Sequence, residues 1–321
     1  MPAMTTMLEV SLIMVNYRSA ALVAERIGDL AALGDEQPAQ LVLVDNDSSA
    51  GLGDWVNDKP VTYLASGANI GFAAAVNLAL ARAEHPHVIL LNPDARPEPG
   101  CLAGLIAELQ SGPDVAVAGP RLLPFAQSAS ESPSATWIEP NLRTLLLEYT
   151  FAQRLWPGGR DWLRKHYFVA PDALTGPVDV AMVQGACFAL TRSWLEQVGD
   201  FDAERFFLYW EETDWCQRVR AQGGRVRYCP QLRCRHFGAA SSNDADAASR
   251  HFWRGCYRYL EKHHGRGYRC RTRLAMLAGL AAEHALLRAL SLWRRGRDQQ
   301  LAADIEALSR HLRAQFAVGA G

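Results

Sequence analysis

Leu41-Val42-Leu43-Val44-Asp45-Asn46-Asp47-Ser48-Ser49 and Val88-Ile89-Leu90-Leu91-Asn92-Pro93-Asp94 share one plan: an unbroken apolar run that empties into carboxylates and amides. A short apolar run without alternation is a strand covered by helices on both faces. A polar exit at its carboxyl end is where open α/β sheets hold ligands. Outward from these two runs the chain keeps the same rhythm. It predicts a strand over 8–16, a helix over 20–33, a strand over 41–45, a weaker strand over 61–64, a helix over 73–83, a strand over 88–91 and a helix over 99–110. The sheet pattern resumes over 178–190 and runs into a helix over 192–198. Strands alternating with helices predict a mostly parallel, Rossmann-like sheet flanked by helices.

The 321 residues are 49% hydrophobic and 21% charged, a composition that supports a full core and either one extended α/β domain or two domains. Gly 25 and Pro 16 lie near background, which excludes collagen-like and wholly disordered chains. The net charge of −1 conceals an asymmetry: residues 215–297 hold 18 Lys or Arg against Asp244, Asp246, Glu261 and Glu283. Such a block favours an anionic partner, whether phosphate, lipid headgroup or nucleic acid, or else is a solvated helical face. Seven scattered cysteines without a Cys-x-x-Cys pair read as reduced thiols. No basic region precedes the first apolar run, so a secretory signal is not expected and a cytoplasmic location is.

Pro and Ser cluster over 120–140, and Trp137, Trp156 and Trp162 follow among Pro and Gly up to 177. This stretch, near 120–177, reads as an insertion in a domain spanning 8–240, either an acceptor lid or a surface excursion. Residues 241–321 read as a basic helical extension. Arg250, Arg254, Arg258 and Lys262 are spaced by four and share a helix face. The next helix, over 274–293, is largely apolar but carries Glu283, His284 and Arg288, so its apolar stretch is too short to span a bilayer. Two readings stand: a hairpin packed on the main domain, or a peripheral membrane foot at the inner face of the membrane.

Chemistry-bearing residues recur at strand ends. Val15-Asn16-Tyr17 offers an amide and an aromatic ring to a base. Asp45 can accept from a uracil or thymine imide or from ribose hydroxyls, while Asp47 and Ser48 can simply form an Asx turn. Asn69-Ile70-Gly71-Phe72-Ala73-Ala74-Ala75-Val76-Asn77 is a glycine turn feeding a helix start, an arrangement that favours anions, though it is neither Gly-x-Gly-x-x-Gly nor a P-loop. Asp94 suits a hard cation, Mg²⁺ or Mn²⁺, bridging two phosphates, or caps the helix over 99–110. In Phe206-Phe207-Leu208-Tyr209-Trp210-Glu211-Glu212-Thr213-Asp214 an aromatic run ends in three carboxylates. Crowded carboxylates raise one another's pKa, as a general base requires, yet Asp214 and Arg218 are also placed to pair at i,i+4. His236 could complete a metal site with Asp94. Zinc on Cys229, Cys234 and His236 lacks a fourth ligand at suitable spacing.

Taken in order, these motifs over about 9–240 resemble the family-2 GT-A nucleotide-sugar glycosyltransferases, particularly rhamnosyltransferase-like members. The resemblance implies that Asn16, Tyr17 and Asp45 hold the nucleotide and that Asn69, Gly71 and Asn77 line its ribose and diphosphate side, with Asn92 and Trp210 also on the donor side. Asn92-Pro93-Asp94 stands in the place of the family's Asp-x-Asp, which leaves Asp94 as the firm metal ligand and adds weight to His236. Glu211-Glu212 occupies the place of the family's acidic pair, which implies Glu212 as base, with Glu211 and Asp214 still open. The implied reaction is a single inverting displacement from a dTDP- or UDP-sugar, rhamnose leading, to a glycan or polyprenyl-diphosphate-linked acceptor in surface polysaccharide biosynthesis.

Other classes are weighed on the same residues. A sugar nucleotidyltransferase needs a Gly-rich, Arg- and Lys-bearing loop near the first strand, which Asn16-Tyr17-Arg18-Ser19 does not supply. A non-catalytic nucleotide-sugar-binding module is disfavoured by the presence of Asp94, Glu212 and His236 together. Nucleic acid is not an expected partner, because no motif interleaves the arginines with stacking aromatics.

Overall fold

The computed structural model describes residues 7–47, 52–125, 133–156, 158–237, 245–293 and 299–318. Ser48, Ser49 and part of the 120–140 cluster lie outside the described residues. The chain forms two compact units, one of residues 1–139 and 169–241, the other of 140–168 and 242–321.

In the first unit, β1 (Leu8–Asn16), α1 (Ala20–Ala31), β2 (Pro38–Asp45), α2 (Leu52–Val56), β3 (Thr62–Ala65), α3 (Phe72–Leu80), β4 (His87–Leu91), β5 (Ala95–Pro97), α4 (Cys101–Leu109) and β6 (Val115–Pro124) follow in order. The short β7 (Ala135–Thr136) comes next. The sheet order is β3-β2-β1-β4-β10-β6-β11-β5, where β10 is Cys187–Thr191 and β11 is Arg225–His236. Strands β3, β2, β1 and β4 are parallel neighbours, β10 runs antiparallel between β4 and β6, and β6 pairs parallel with β11.

The unbroken apolar runs are explained by two cores on opposite faces of this sheet. Ile13, Val42, Val44, Val88 and Leu90 pack on the α3 side, with Ala73, Val76 and Ala79. Leu12, Met14, Leu41, Leu43, Ile89 and Leu91 pack on the other side, with Val23 and Leu30 of α1 and Leu102 and Leu105 of α4. Each such side chain removed from water contributes about 1.5–3 kcal/mol, which fixes register, because a one-residue slip exchanges the two faces.

The single run expected over 178–190 is instead three short strands. Val178–Asp179 (β8) pairs with β11, Met182–Val183 (β9) pairs with β7, and only β10 enters the main sheet. Gly185 breaks the run at a position that has a separate use below. Helices α8 (Arg192–Val198) and α9 (Glu211–Ala221) complete this unit; α8 begins and ends where the sequence predicts.

The second unit joins α5 (Leu142–Tyr149), α6 (Ala152–Leu155) and α7 (Gly159–His166) to three long helices: α10 (Ala245–His264), α11 (Arg266–Trp293) and α12 (Gln299–Ala317). Asn141 opens α5 in a capping box, accepting from the Arg143 and Thr144 amides while Thr144 Oγ1 accepts from the Asn141 amide. Leu142 N–H donates to the Tyr268 hydroxyl at 2.9 Å, and Phe151 N–H donates to Glu283 Oε2 at 3.0 Å. These bonds tie the inserted stretch to α11. All seven cysteines are free, and six of them are buried.

Candidate active site

The carboxyl ends of β1, β2 and β4 bring the predicted residues to one edge of the sheet. Asn16 and Asp45 are opposed across β1 and β2, and the Asn16 amide donates to Asp45 Oδ1 at 2.8 Å. Tyr63, from β3, donates to the other oxygen, Oδ2, at 2.8 Å. Burial, then the Asp45 hydrogen bond, pushes the Tyr63 hydroxyl up to about 12, so it stays a donor. Asp45 is thus a carboxylate of fixed orientation at a strand end. Arg18, two residues past Asn16, adopts a left-handed φ of 53° and lies over the Tyr17 ring.

The glycine turn is built differently from the anion cradle expected for it. The amide N–H groups of Ile70, Gly71 and Phe72 are already engaged, by Asn46 Oδ1 (2.9 Å), Asn69 Oδ1 (3.1 Å) and the Phe207 carbonyl (2.7 Å). Asn77 is corrected likewise: its Nδ2 donates to the Phe201 carbonyl and its Oδ1 accepts from the Phe201 amide, at 2.7 and 3.1 Å. A donor diphosphate therefore finds none of these groups free. They clamp residues 201–207 onto α3. Gly71 has φ 87°, and a Cβ there would lie 2.6 Å from the Phe207 carbonyl oxygen, so no other residue allows this approach.

At the β4 exit, Asn92 N–H donates to the Ala186 carbonyl at 2.9 Å, which seats the start of β10 beside it. The helix α4 is capped by Gly100, so Asp94 is not its N-cap. Instead β5 pairs with the end of β11, opposing Ala95 to His236, and Phe237 N–H donates to the Asp94 carbonyl. This places His236 Nε2 3.4 Å from Asp94 Oδ1, with Asp94 buried. The separation expected from sequence, 142 positions apart in number, is closed by one antiparallel pairing. The Pro93 carbonyl between Asn92 and Asp94 accepts from Arg26 Nε at 3.4 Å; Arg26 is fully buried in α1 and pairs with Asp29.

The acidic cluster opens α9. Residues Tyr209 and Trp210 both hold left-handed φ values, 68° and 75°. With Arg18 they are the non-glycine positive-φ positions among the described residues. Two consecutive strained aromatics persist only where the surroundings over-determine them, and such strain concentrates at functional sites. The strain turns Glu211 and Glu212 inward at the positive end of the helix dipole. Glu212 accepts from the Gly185 backbone amide, where the sheet run is interrupted, and Gly185 lies against its carboxyl.

Burial and then the neighbouring Glu212 charge raise the Glu211 pKa well above the carboxylate range, and burial raises that of Glu212. Glu211 Oε2 and Glu212 Oε2 are both buried without a hydrogen-bond partner among the described residues. Tyr209 is the common neighbour: burial and the charges of Glu211, Glu212 and Asp94 all raise its hydroxyl pKa. Asp214 is placed elsewhere. It is fully buried and bonded to Arg218 Nε at 2.9 Å, while that guanidinium also binds the Val198, Gly199 and Asp200 carbonyls. The i,i+4 pairing is its role, fixing the loop that precedes the aromatic run.

The family model for Glycosyl transferase family 2 matches residues 11–199. The chain belongs to glycosyl transferase family 2. Within this family-2 glycosyltransferase the matched stretch holds Asn16, Asp45, Asp94 and Gly185, and the acidic pair lies just beyond it. The chain is 28% identical over 293 residues to an N-acetylglucosaminyl-diphospho-decaprenol L-rhamnosyltransferase of Mycobacterium tuberculosis, covering 86% of this chain and 92% of that one. It is 28% identical over 230 residues to the low-salt glycan biosynthesis hexosyltransferase Agl10 of Haloferax volcanii, covering 70% and 66%.

Among solved structures, mannosyltransferase PcManGT from Pyrobaculum calidifontis, in complex with GDP-Man and Mn²⁺, superposes with a TM-score of 0.56 at 18% identity over 97% of this chain and 86% of that one. GalNAc-T7 with UDP, GalNAc and Mn²⁺ gives 0.57 at 14% identity over 81% of this chain, which spans about half of that structure (51%). The fold of this glycosyltransferase is accordingly GT-A-like, with a C-terminal helical region. Sequence reading missed Arg26, Asn46, Tyr63 and Tyr209. Arg26 carried a signal: it sits on the buried Val23-Arg26-Leu30 stripe of α1, where a cation needs a purpose.

A buried carboxyl with a raised pKa adds nothing to stability below the ordinary carboxylate value and destabilises as pH climbs through its folded value. Replacing Glu211 with Gln removes that loss. The melting temperature of E211Q relative to the parent should therefore rise as pH climbs above the ordinary carboxylate range. A difference independent of pH would show that Glu211 is not a buried, reluctantly charged group.

Proposed function

We propose that this glycosyltransferase moves a hexose, rhamnose first among candidates, from a dTDP- or UDP-linked donor to a glycan or polyprenyl-diphosphate-linked acceptor, inverting the anomeric centre, as a cytoplasmic step of surface polysaccharide assembly. One observation carries the reading: Asp94, 3.4 Å from His236, and the Glu211–Glu212 pair all act on Tyr209. The rhamnose and lipid-linked assignments draw support from the name of the mycobacterial relative.

On the donor side, Asp45, held by Asn16 and Tyr63, accepts from the pyrimidine imide or ribose, and Tyr17 offers a ring face. Asp94 and His236 suit a divalent cation, Mg²⁺ or Mn²⁺: an oxygen and a nitrogen 3.4 Å apart face one another, and no cluster of three or more ligating side chains exists among the described residues, so donor oxygens and water would complete the shell. When bound, the cation neutralises charge on the departing diphosphate.

Glu212 acts as the base. The residue is half-buried with its Oε2 buried and lacking a protein partner among the described residues, and its raised pKa suits proton removal near neutrality. The acceptor O–H gives its proton to Glu212 as its oxygen bonds to the anomeric carbon. The bond from that carbon to the diphosphate oxygen breaks, and its electron pair leaves with the nucleoside diphosphate. Glu211, more deeply buried, keeps the pair proton-seeking, and Asp214 stays in its ion pair with Arg218.

Calorimetric titration of dTDP, UDP, GDP and ADP, each with Mn²⁺ and with chelator, tests the donor side. The expected result is metal-dependent binding of dTDP or UDP; a folded protein that binds none of the four would overturn the reading. Asp94→Ala should remove the metal-dependent part of that binding while leaving the fold intact by circular dichroism. Glu212→Gln should keep the donor Kd within about twofold yet lower kcat by ~10²–10⁴. Near-normal turnover in E212Q would move the base to Glu211.

A further inference from the structure

Helix α11 has an inside-out surface. Its inward face is conventional: Thr272, Met276 and Leu280 are buried, Glu283 binds the Phe151 amide, and His284 Nε2 lies 3.0 Å from Ser309 Oγ of α12. Rotated half a turn away lie Leu274, Ala278, Ala281, Ala285, Ala289 and Leu292, every one exposed. Leu286 and Trp293 flank this stripe, the exposed Arg288 interrupts it, and Leu274, Leu292 and Trp293 are 70%, 81% and 79% exposed. On a water-facing helix this face would be polar. The most apolar 18-residue window of α11 has a mean hydropathy of 1.3, and 11% of it is buried.

The same unit also exposes cations. Arg250 and Arg254 are exposed on one face of α10, and Arg266 and Arg271 are exposed in the first turns of α11. Over residues 245–297 the sequence holds twelve Lys or Arg against Asp246, Glu261 and Glu283. Exposed apolar and basic residues on one compact unit match an interface of hydrocarbon beneath anionic headgroups. A nucleic acid would use the cations and leave the leucines in water.

We propose that the outward face of α11, with the arginines of α10 and of the first turns of α11, seats the second unit on the surface of an anionic lipid bilayer. The helix lies in the interface and does not cross it. At 28 residues it is long enough to span, about 42 Å. Crossing would strip Glu283 and His284 of their partners in hydrocarbon, whereas lying flat keeps them and buries only the leucine face. The proposal does not rest on the donor or acceptor assignment.

The test is co-sedimentation of the full chain with vesicles of phosphatidylcholine alone and of phosphatidylcholine mixed with phosphatidylglycerol. The expected result is binding to the mixed vesicles, ~10-fold or more weaker to the neutral ones, and diminished at about 0.5 M salt. Leu274→Glu/Leu286→Glu/Leu292→Glu should lose ~10-fold or more of that binding with an unchanged circular dichroism spectrum, since all three side chains are exposed. Arg250→Gln/Arg254→Gln should narrow the preference for anionic vesicles. As a measurement on the parent fold, brominated lipid should quench Trp293, and the quenching should fall in Trp293→Phe. Absence of vesicle binding, full binding by the triple leucine variant, or quenching unchanged in Trp293→Phe would each overturn the proposal. So would a dimer that the leucine variant dissolves without any vesicle binding, which would assign the face to a second copy of the chain.

Discussion

The clamp between α3 and residues 199–210 is the constraint on which the site depends. One backbone bond and the side chain of Asn77 make it, the Phe72 amide on the Phe207 carbonyl and both ends of the Asn77 amide on Phe201, and the Trp215 indole of α9 adds a bond to the Gly199 carbonyl. The Arg218 guanidinium adds the carbonyls of Val198 to Asp200 from the other side. Each neutral bond contributes only about 0.5–1.5 kcal/mol net, but their geometry is cumulative, because they leave residues 207–211 one path. That path forces Tyr209 and Trp210 into left-handed conformations and delivers Glu211 and Glu212 to the sheet edge. Without Gly71 the approach to Phe207 closes, so a glycine far in sequence from the acidic pair governs where that pair sits.

The same economy appears at the β4 exit. Asp94 has no helix to cap, and its direction comes from three neighbours: the β5–β11 pairing, the Phe237 amide on its carbonyl, and Arg26 beneath the preceding proline. A buried guanidinium is expensive unless its donors are satisfied, and here Asp29 and the Pro93 carbonyl satisfy them. Arg26 acts through the loop that carries Asp94 and is a positioning residue.

Much of this was legible in the sequence where chemistry is local. Apolar runs marked β1, β2 and β4 within a few residues, their polar exits marked Asn16, Asp45 and Asp94, and the crowded carboxylates marked α9. The bland pairing of Asp214 with Arg218 was also readable, being one helical turn. What could not be read is what depends on partners distant in sequence. Asn77 resembled a ligand-facing amide because its true partner, Phe201, is 124 residues away. The amides after Asn69 resembled an anion cradle because nothing local announces that Phe207 occupies one of them. Tyr63 sits on a strand too weak to draw attention, and the run over 178–190 gave no sign that its three pieces would pair with different strands.

Electrostatics then ties the two halves of the site together. Asp94, Glu211 and Glu212 all act on Tyr209, so on the proposed reading a donor diphosphate entering beside them meets like charge on several sides. Two unit charges 4 Å apart repel by about 4 kcal/mol at an effective dielectric of 20, enough to abolish micromolar binding if two such pairs went uncompensated. Compensation can come from protons on the glutamates or from positive charge at Asp94 and His236. The first is built into the fold, since burial already favours the protonated acidic pair, but a protonated Glu212 cannot accept the acceptor's proton. On the proposed reading, positive charge at the Asp94–His236 pair is what lets donor and an ionised base coexist, and this is the physical logic of placing Asp94, Glu211 and Glu212 around Tyr209.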